Sequence, residues 1–199
     1  MKKILICIPH YDHNIDPRVI EAVKDNVYSL DKDKYQCDIF KIGNYSCHHS
    51  RNIAAQKCVK ENYDWLLFVD SDTILPTNFL RKVIFESEAK NIKIISGWYF
   101  SKDIKNLTTH CLPINVDFKE ENKIKIFDVQ NETPMEVAAA AMGCCLIDSE
   151  VFFTNMQSEP FQTQIGNSSD IYFFLKYAKE IKKYVIPSLK CGHIAKIIL

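Results

Sequence analysis

Two aspartates one residue apart stand where an apolar run ends: Asp70 and Asp72 in "FVDSDTILP", residues 68–76. Alternate side chains of an extended segment share a face, so both carboxylates can converge on one point while Ser71 turns the other way. Like charges that close need a cation. An all-oxygen donor pair suits a hard divalent ion, Mg²⁺ or Mn²⁺, that keeps open positions for substrate phosphates. The apolar residues "WLLFV" ahead of the pair read as a buried strand, and ligands of open α/β sheets bind beyond the carboxyl ends of their parallel strands. Solvated turn residues before Pro76 would look similar in composition. The strand before the pair and the helix pattern after it favour a site that brings a metal to a diphosphate.

Other reactive residue types form weaker patterns. Cys47, His48 and His49 are metal-like in type, yet adjacent histidines rarely point at one ion and no second ligand pair has zinc spacing. The eight cysteines include no CxxC pair, which fits reduced, cytosolic thiol usage. Cys144 and Cys145 lie in an apolar segment and read as core thiols. Trp98 and Tyr99, after Gly97, suit either a sugar-stacking platform or a core strand.

Elements that position the pair are legible in the pattern. Apolar runs Ile4–Ile8, Cys37–Ile42 and Trp65–Val69 alternate with helical patterns starting at Pro17, Arg51 and Asn78, which predicts βαβ units on a parallel sheet. Asp16 can cap the first helix with Pro17 at its opening position; Ser50 and Thr77 can cap the second and third. From residue 92 the texture changes, with strand-like runs at 92–100, 109–116, 123–129 and 144–147, a helical pattern from about Ser169 to Glu180, and a strand over 184–186. One α/β domain over residues 1–199 is expected: a Rossmann-like parallel half to about residue 100, then a mixed-sheet half.

Composition narrows the function classes. Lys plus Arg and Asp plus Glu each number 25, so no global basic field exists to hold nucleic acid or an anionic membrane. The first apolar run is cut short by Pro9, too short for a signal segment, and no stretch approaches the length of a membrane span. A cytoplasmic protein without an integral membrane segment is expected. Oligomeric state is not legible in the sequence.

Beyond these residue-level readings, the chain resembles GT-A-fold glycosyltransferases, most of all the small single-domain family 2 type of bacteria and viruses. The stretches that carry the resemblance are "ILICIPHYD", "SRNIAAQKCVKENYDWLLFVDSDTILPTNFLRKVI", "ISGWYF", "AAAAMGCCLIDSEVF" and "SSDIYFFLKYAKEIKKYVIPSLKCGHI". The resemblance implies transfer of a sugar from a nucleotide donor, UDP by default, to an acceptor hydroxyl of a glycan or other molecule. It implies that Asp70, Ser71 and Asp72 form the donor-diphosphate motif, that Asp70 and Asp72 are metal ligands with Asp72 favoured as the direct one, and that His193 in "CGHI" adds a third ligand, which favours Mn²⁺ over Mg²⁺. Pro9, His10 and Tyr11 would lie against the base, Asp38 would contact base or ribose, and Arg51 and Asn52 would reach the nucleotide. Asp170 occupies the position of the general base of inverting members, although Ser169 replaces the glutamate that usually precedes it.

The implied chemistry is metal-assisted departure of the diphosphate while a carboxylate takes the acceptor's proton, which gives inversion; with Asp170 facing away, retention is the alternative. One alternative is a haloacid-dehalogenase-like phosphatase with Asp70 as nucleophile, since "FVDSDTIL" also resembles its strand-end motif. Two βα units precede the motif here, and Ile74 stands where Thr or Val is expected. Another alternative is a binding module that kept the fold and lost turnover. A nucleotidyltransferase would show a glycine-rich loop after its first strand, and "IPHYDHNID" has no glycine.

Overall fold

A computed structural model describes residues 1–10, 14–101, 108–114, 123–124, 126–153, 159–163 and 168–194. The parallel half is built as the apolar runs predict. Strand β1 (Lys2–Pro9) lies between β2 (Tyr35–Ile42) and β3 (Trp65–Val69), parallel to both. Helices cover this sheet on both faces, so Ile4 to Ile8 are fully buried without alternation, as a strand covered twice must be. Each such aliphatic side chain contributes about 1.5–3 kcal/mol. Helix α1 (Pro17–Tyr28) starts at the predicted cap: the Asp16 carboxylate accepts from the Arg18 N–H at 3.0 Å. Helix α3 (Phe79–Lys90) begins after Asn78, one residue past the predicted cap Thr77, with Asn78 in the left-handed region.

Helix α2 (Cys47–Lys60) departs from the sequence reading. It starts a full turn before Arg51, so Ser50 is an interior residue and Ser46 is the N-cap. The first turn, "CHHS", offers Cys47 as its single apolar residue, too little to extend the periodicity backward, which hid it from pattern reading.

The remaining strands make the sheet mixed. Its order is β2-β1-β3-β7-β5-β8-β6, adding β5 (Ile94–Trp98), β6 (Met135–Val137), β7 (Cys144–Asp148) and β8 (Lys183–Lys190). β7 runs antiparallel to both β3 and β5, β5 and β8 are parallel, and β6 is antiparallel to β8. β8 continues through Pro187 because the register slips between Ser96 and Trp98, and the freed Pro187 carbonyl accepts from the Trp98 indole at 2.7 Å. No strand element forms in the described parts of 109–116 and 123–129. Thr109 and Leu112 make single bridges, and Ile124 bonds the backbone of Thr109 and Cys111. Ile126 and Val129, apolar residues of the run expected as a strand over 123–129, are exposed.

Two short segments close the fold around the strand ends. Helix α4 (Glu150–Phe153) follows β7, and α5 (Ser169–Tyr172) passes directly into a π-helical turn over Phe173–Tyr177. β4 (Thr73–Ile74) pairs antiparallel with β9 (Gly192–His193), setting Thr73 opposite His193.

Candidate functional site

The site gathers at the carboxyl ends of β1 and β3. Asp70 is the first residue past β3; its N–H donates to the Gly143 carbonyl at 3.1 Å and its own carbonyl accepts from the Thr73 N–H at 2.9 Å, a turn that fixes both aspartates. The β4–β9 pairing then brings the end of the described chain alongside. The Ile194 N–H donates to the Asp72 carbonyl at 2.9 Å, and His193 Nε2 lies 3.6 Å from Asp72 Oδ1. His193 Nδ1 sits 2.6 Å from the Phe100 carbonyl, which only accepts, so Nδ1 donates there and Nε2 is the nitrogen that faces the Asp72 carboxylate.

A neutral imidazole nitrogen and a carboxylate oxygen placed this close can serve together as two ligands of one cation. An imidazole oriented by a backbone carbonyl and a neighbouring carboxylate form a donor pair suited to Mn²⁺. Among the described residues no three His, Cys, Asp or Glu side chains gather closely enough to hold a metal by themselves. Asp72 and His193 therefore fit two positions of such an ion.

Asp70 has a different partner. Arg51, in the second turn of α2 and 2 % exposed, donates through Nη2 to Asp70 Oδ1 at 3.0 Å and through Nη1 to Asp170 Oδ1. Asp170 stands in the first turn of α5, where Ser168 caps the helix, and its Oδ1 also accepts from the Ser169 hydroxyl at 3.2 Å. Among the described residues, no bond falls on Asp170 Oδ2. Burial pushes the Asp70 carboxyl above its ordinary value; Arg51 opposes the shift, and the negative charges of Asp170 and Asp72 add to it. Burial also opposes the Arg51 charge, but Asp170 and Asp70 outweigh it and hold the guanidinium well above its ordinary value.

A cavity of about 190 Å³ opens beside these groups, lined by Pro9, His10, Tyr45, Cys47, Ser50, Asp70, Ser71 and Asp72. The N-terminus of α2 faces it without a side-chain cap, because Ser46 makes no cap hydrogen bond and its hydroxyl lies 3.3 Å from His48. Ser50, 1 % exposed, has a buried hydroxyl with no partner among the described residues. Cys47 is exposed at the cavity rim, and desolvation of its sulfur, with Arg51 opposing and the nearby aspartates adding, pushes its thiol up to about 11. His48 and His49 follow it, His49 stacked on Tyr45 with ring centroids 6.1 Å apart.

Sequence-predicted residues thus divide into groups. Pro9, His10, Asp70, Ser71 and Asp72 share the cavity, with Arg51 bonded to Asp70, His193 facing Asp72, and Asp170 joined to the group through Arg51. Asn52 is brought elsewhere: its amide pairs both backbone groups of Phe161, accepting at 2.9 Å and donating at 2.8 Å, and so docks the segment around Phe161 onto α2. Asp38 lies within β2 opposite Leu5, short of the strand end, where Tyr63 and Gln36 donate to it at 3.0 and 3.2 Å. Tyr11 lies outside the described residues.

Residues that motif reading missed complete the surroundings. A Cβ on Gly143 would fall 2.4 Å from Asp70 Oδ2 and 2.8 Å from the Tyr99 hydroxyl, so only glycine admits the carboxylate there. A lone glycine in the apolar run "AAAAMGCC" was the available signal. Tyr99 is a core residue with a site-facing hydroxyl: it accepts from the Gly143 N–H at 3.1 Å, and its ring packs 4.6 Å from His193. Trp98, Cys144 and Cys145 are fully buried, as core residues are.

No protein-family model matches the sequence, and no curated protein matches it. Solved structures do. A197 from STIV superposes with a TM-score of 0.67 over 98% of this chain and 87% of that one, at 20% identity. The crystal structure of GalNAc-T7 with UDP, GalNAc and Mn²⁺ gives 0.65 over all of this chain at 13% identity, and S. aureus TarS 1-349 gives 0.58 over 96% at 10%. The chain has the GT-A fold. It spans 45% of the GalNAc-T7 chain and 59% of the TarS 1-349 chain, and at these identities the likeness speaks to fold alone.

Proposed function

We propose that this chain is a divalent-metal-dependent glycosyltransferase that moves a sugar from a nucleoside diphosphate, UDP being the expected nucleotide, to an acceptor hydroxyl. The observation that carries the reading is the Asp72–His193 donor pair, 3.6 Å apart at the strand ends and next to an open cavity. A GT-A neighbour crystallised with UDP, GalNAc and Mn²⁺ supports the choice of ligands.

Mn²⁺ held by Asp72 and His193 would stabilise negative charge on the departing diphosphate as a Lewis acid. The chain's own groups do the rest. Pro9, His10 and Ser71 bound the space for the nucleotide, and the uncapped start of α2 turns its partial positive charge toward the same space. Asp170 takes the acceptor's proton at Oδ2, the oxygen that Arg51 and Ser169 leave free. Attack from that side gives inversion at the anomeric carbon. Residues 1–199 act as one domain, the parallel half taking the donor and the mixed half the acceptor.

A phosphatase would need Asp70 as a free nucleophile. Its Oδ1 is tied to Arg51 and its Oδ2 packs over Gly143, which favours the transferase. A thermal-shift panel of nucleoside diphosphates and their sugars, with and without Mn²⁺, tests the assignment, because a ligand of the folded state raises its melting temperature. A rise with UDP or UDP-sugar only when Mn²⁺ is present, and slow release of UDP from the sugar donor, is the expected result. Phosphate release from phosphomonoesters with no nucleotide shift would overturn it, and binding without any turnover would leave only a binding module.

A further inference from the structure

Arg51 is spent in a way that the resemblance did not anticipate. A guanidinium expected at the nucleotide is 2 % exposed, and both of its terminal nitrogens are engaged by carboxylates. Those carboxylates lie 19 and 119 residues away in sequence and come from the end of β3 and the start of α5. Its Nε is buried without a partner among the described residues, and the Phe68 ring lies 5.8 Å from its central carbon. A ligand could reach this fork only by displacing an aspartate.

We propose that Arg51 is a positioning residue that joins the donor-side carboxylate Asp70 and the acceptor-side carboxylate Asp170 into one rigid unit. Two acids this near one another repel, and a single buried cation both cancels the repulsion and sets direction. Guanidinium donors radiate in a fixed plane, so each carboxylate is oriented as well as attracted. With Oδ1 of each acid bound, Asp170 Oδ2 is held toward the acceptor side, and Asp70 is kept over Gly143 rather than joining Asp72 and His193. Ser169, in place of the expected glutamate, reinforces the arrangement through its hydroxyl on the same Asp170 oxygen. The separation between the site of bond breaking and the site of proton removal is thereby fixed by one side chain, and small displacements of such groups are costly to rate.

This inference rests on the transferase reading for its kinetic consequences but not for its structural one. The test is Arg51→Lys, compared with Asp170→Asn, in the full chain. An ammonium keeps the charge but cannot span both acids in fixed directions. Arg51→Lys should lower transfer turnover by about 100-fold while the Kd for UDP with Mn²⁺ changes by less than about threefold. Amide hydrogen exchange over residues 168–172 should quicken by about tenfold or more. Asp170→Asn should abolish transfer and leave that protection in place, since its amide oxygen still accepts from Arg51. A Kd that rises in step with the loss of turnover would place Arg51 on the nucleotide and overturn the proposal, as would unchanged turnover and exchange. If the wild-type chain transfers no sugar, the functional reading fails alone, and the exchange comparison still decides the role of Arg51. If Arg51→Lys does not fold, melting of Asp70→Asn, Asp170→Asn and the double variant decides. Losses that depart from the sum of the singles support a shared guanidinium, and additive losses refute it.

Discussion

The two ends of the central sheet treat charge in opposite ways. At the amino ends of the strands a cavity of about 360 Å³ is lined by Lys2, Asp64, Trp65, Glu88, Lys93, Asp148 and Glu150, among others. All four acids there have a donor: Lys93 bonds Asp148 at 2.8 Å and Glu150 at 2.7 Å, the Lys3 N–H donates to Asp64 at 2.7 Å, and Lys2 lies 3.2 Å from Glu88. The carboxyl ends hold the smaller cavity, yet three aspartates converge there on one arginine and one histidine. Ser50 and Thr73 keep buried hydroxyls, and Arg51 a buried Nε, without partners among the described residues. Cavity size therefore misidentifies the site, and unfinished electrostatics identify it. Folding completes the pairing at one end and, among the described residues, leaves buried polar atoms unpaired at the other, which is why the site is proposed there.

The sharpest way to break this contrast is to remove a donor at the unfinished end. Asp72→Asn should cut sugar transfer roughly thousandfold, the worth of several kcal/mol of leaving-group stabilisation, and abolish the Mn²⁺-dependent thermal shift with UDP. Transfer within tenfold of wild type would remove the metal from the site. Gly143→Ala comes next. Its Cβ would meet Asp70 Oδ2 at 2.4 Å, and relief of such an overlap costs about 1–3 kcal/mol of stability, measurable as a lower urea midpoint together with slower transfer.

Ser50→Ala should act in the reverse direction on the free protein. Removing a buried hydroxyl that lacks a partner should stabilise the fold by about 1 kcal/mol, and a drop in the denaturation midpoint instead would mean that the hydroxyl is already satisfied. At the finished end the expected effects are smallest and depend on pH. Lys93 holds Glu150 below its ordinary value, chiefly through their hydrogen bond. That stabilisation is full above the ordinary glutamate range and is lost as pH falls through the lowered value. Lys93 itself is held above its ordinary value by its bonds to Asp148 and Glu150, so the same stabilisation is lost again as pH rises through that raised value. Lys93→Met should therefore lower the urea midpoint at neutral pH, converge with wild type in strong acid, and leave transfer unchanged. A constant difference across the acid range would mean that Lys93 contributes through packing rather than charge.

Local pattern was enough to locate β3 at Trp65–Val69, to start α1 at Asp16 and Pro17, and to put two carboxylates at a strand end. These features depend on neighbours in sequence: an apolar run, a cap, a period of two. It was not enough for α2, whose polar first turn carries no periodicity, nor for β8, whose passage through Pro187 is made possible by a bulge against β5. Nor could it separate Arg51 from Asn52, adjacent residues on one helix that face different partners.

The amino-acid sequence by itself determined that this chain would wind a parallel α/β half and carry acids where the third strand ends, because hydrophobic periodicity and helix capping are properties of short stretches. Only the tertiary structure decided which acid faces His193 and which is paired with Arg51. His193 reaches Asp72 through the β4–β9 pairing, and Asp170 reaches Asp70 through one buried guanidinium. Contacts between residues so far apart in the chain are fixed by strand order and close packing, which no local pattern encodes.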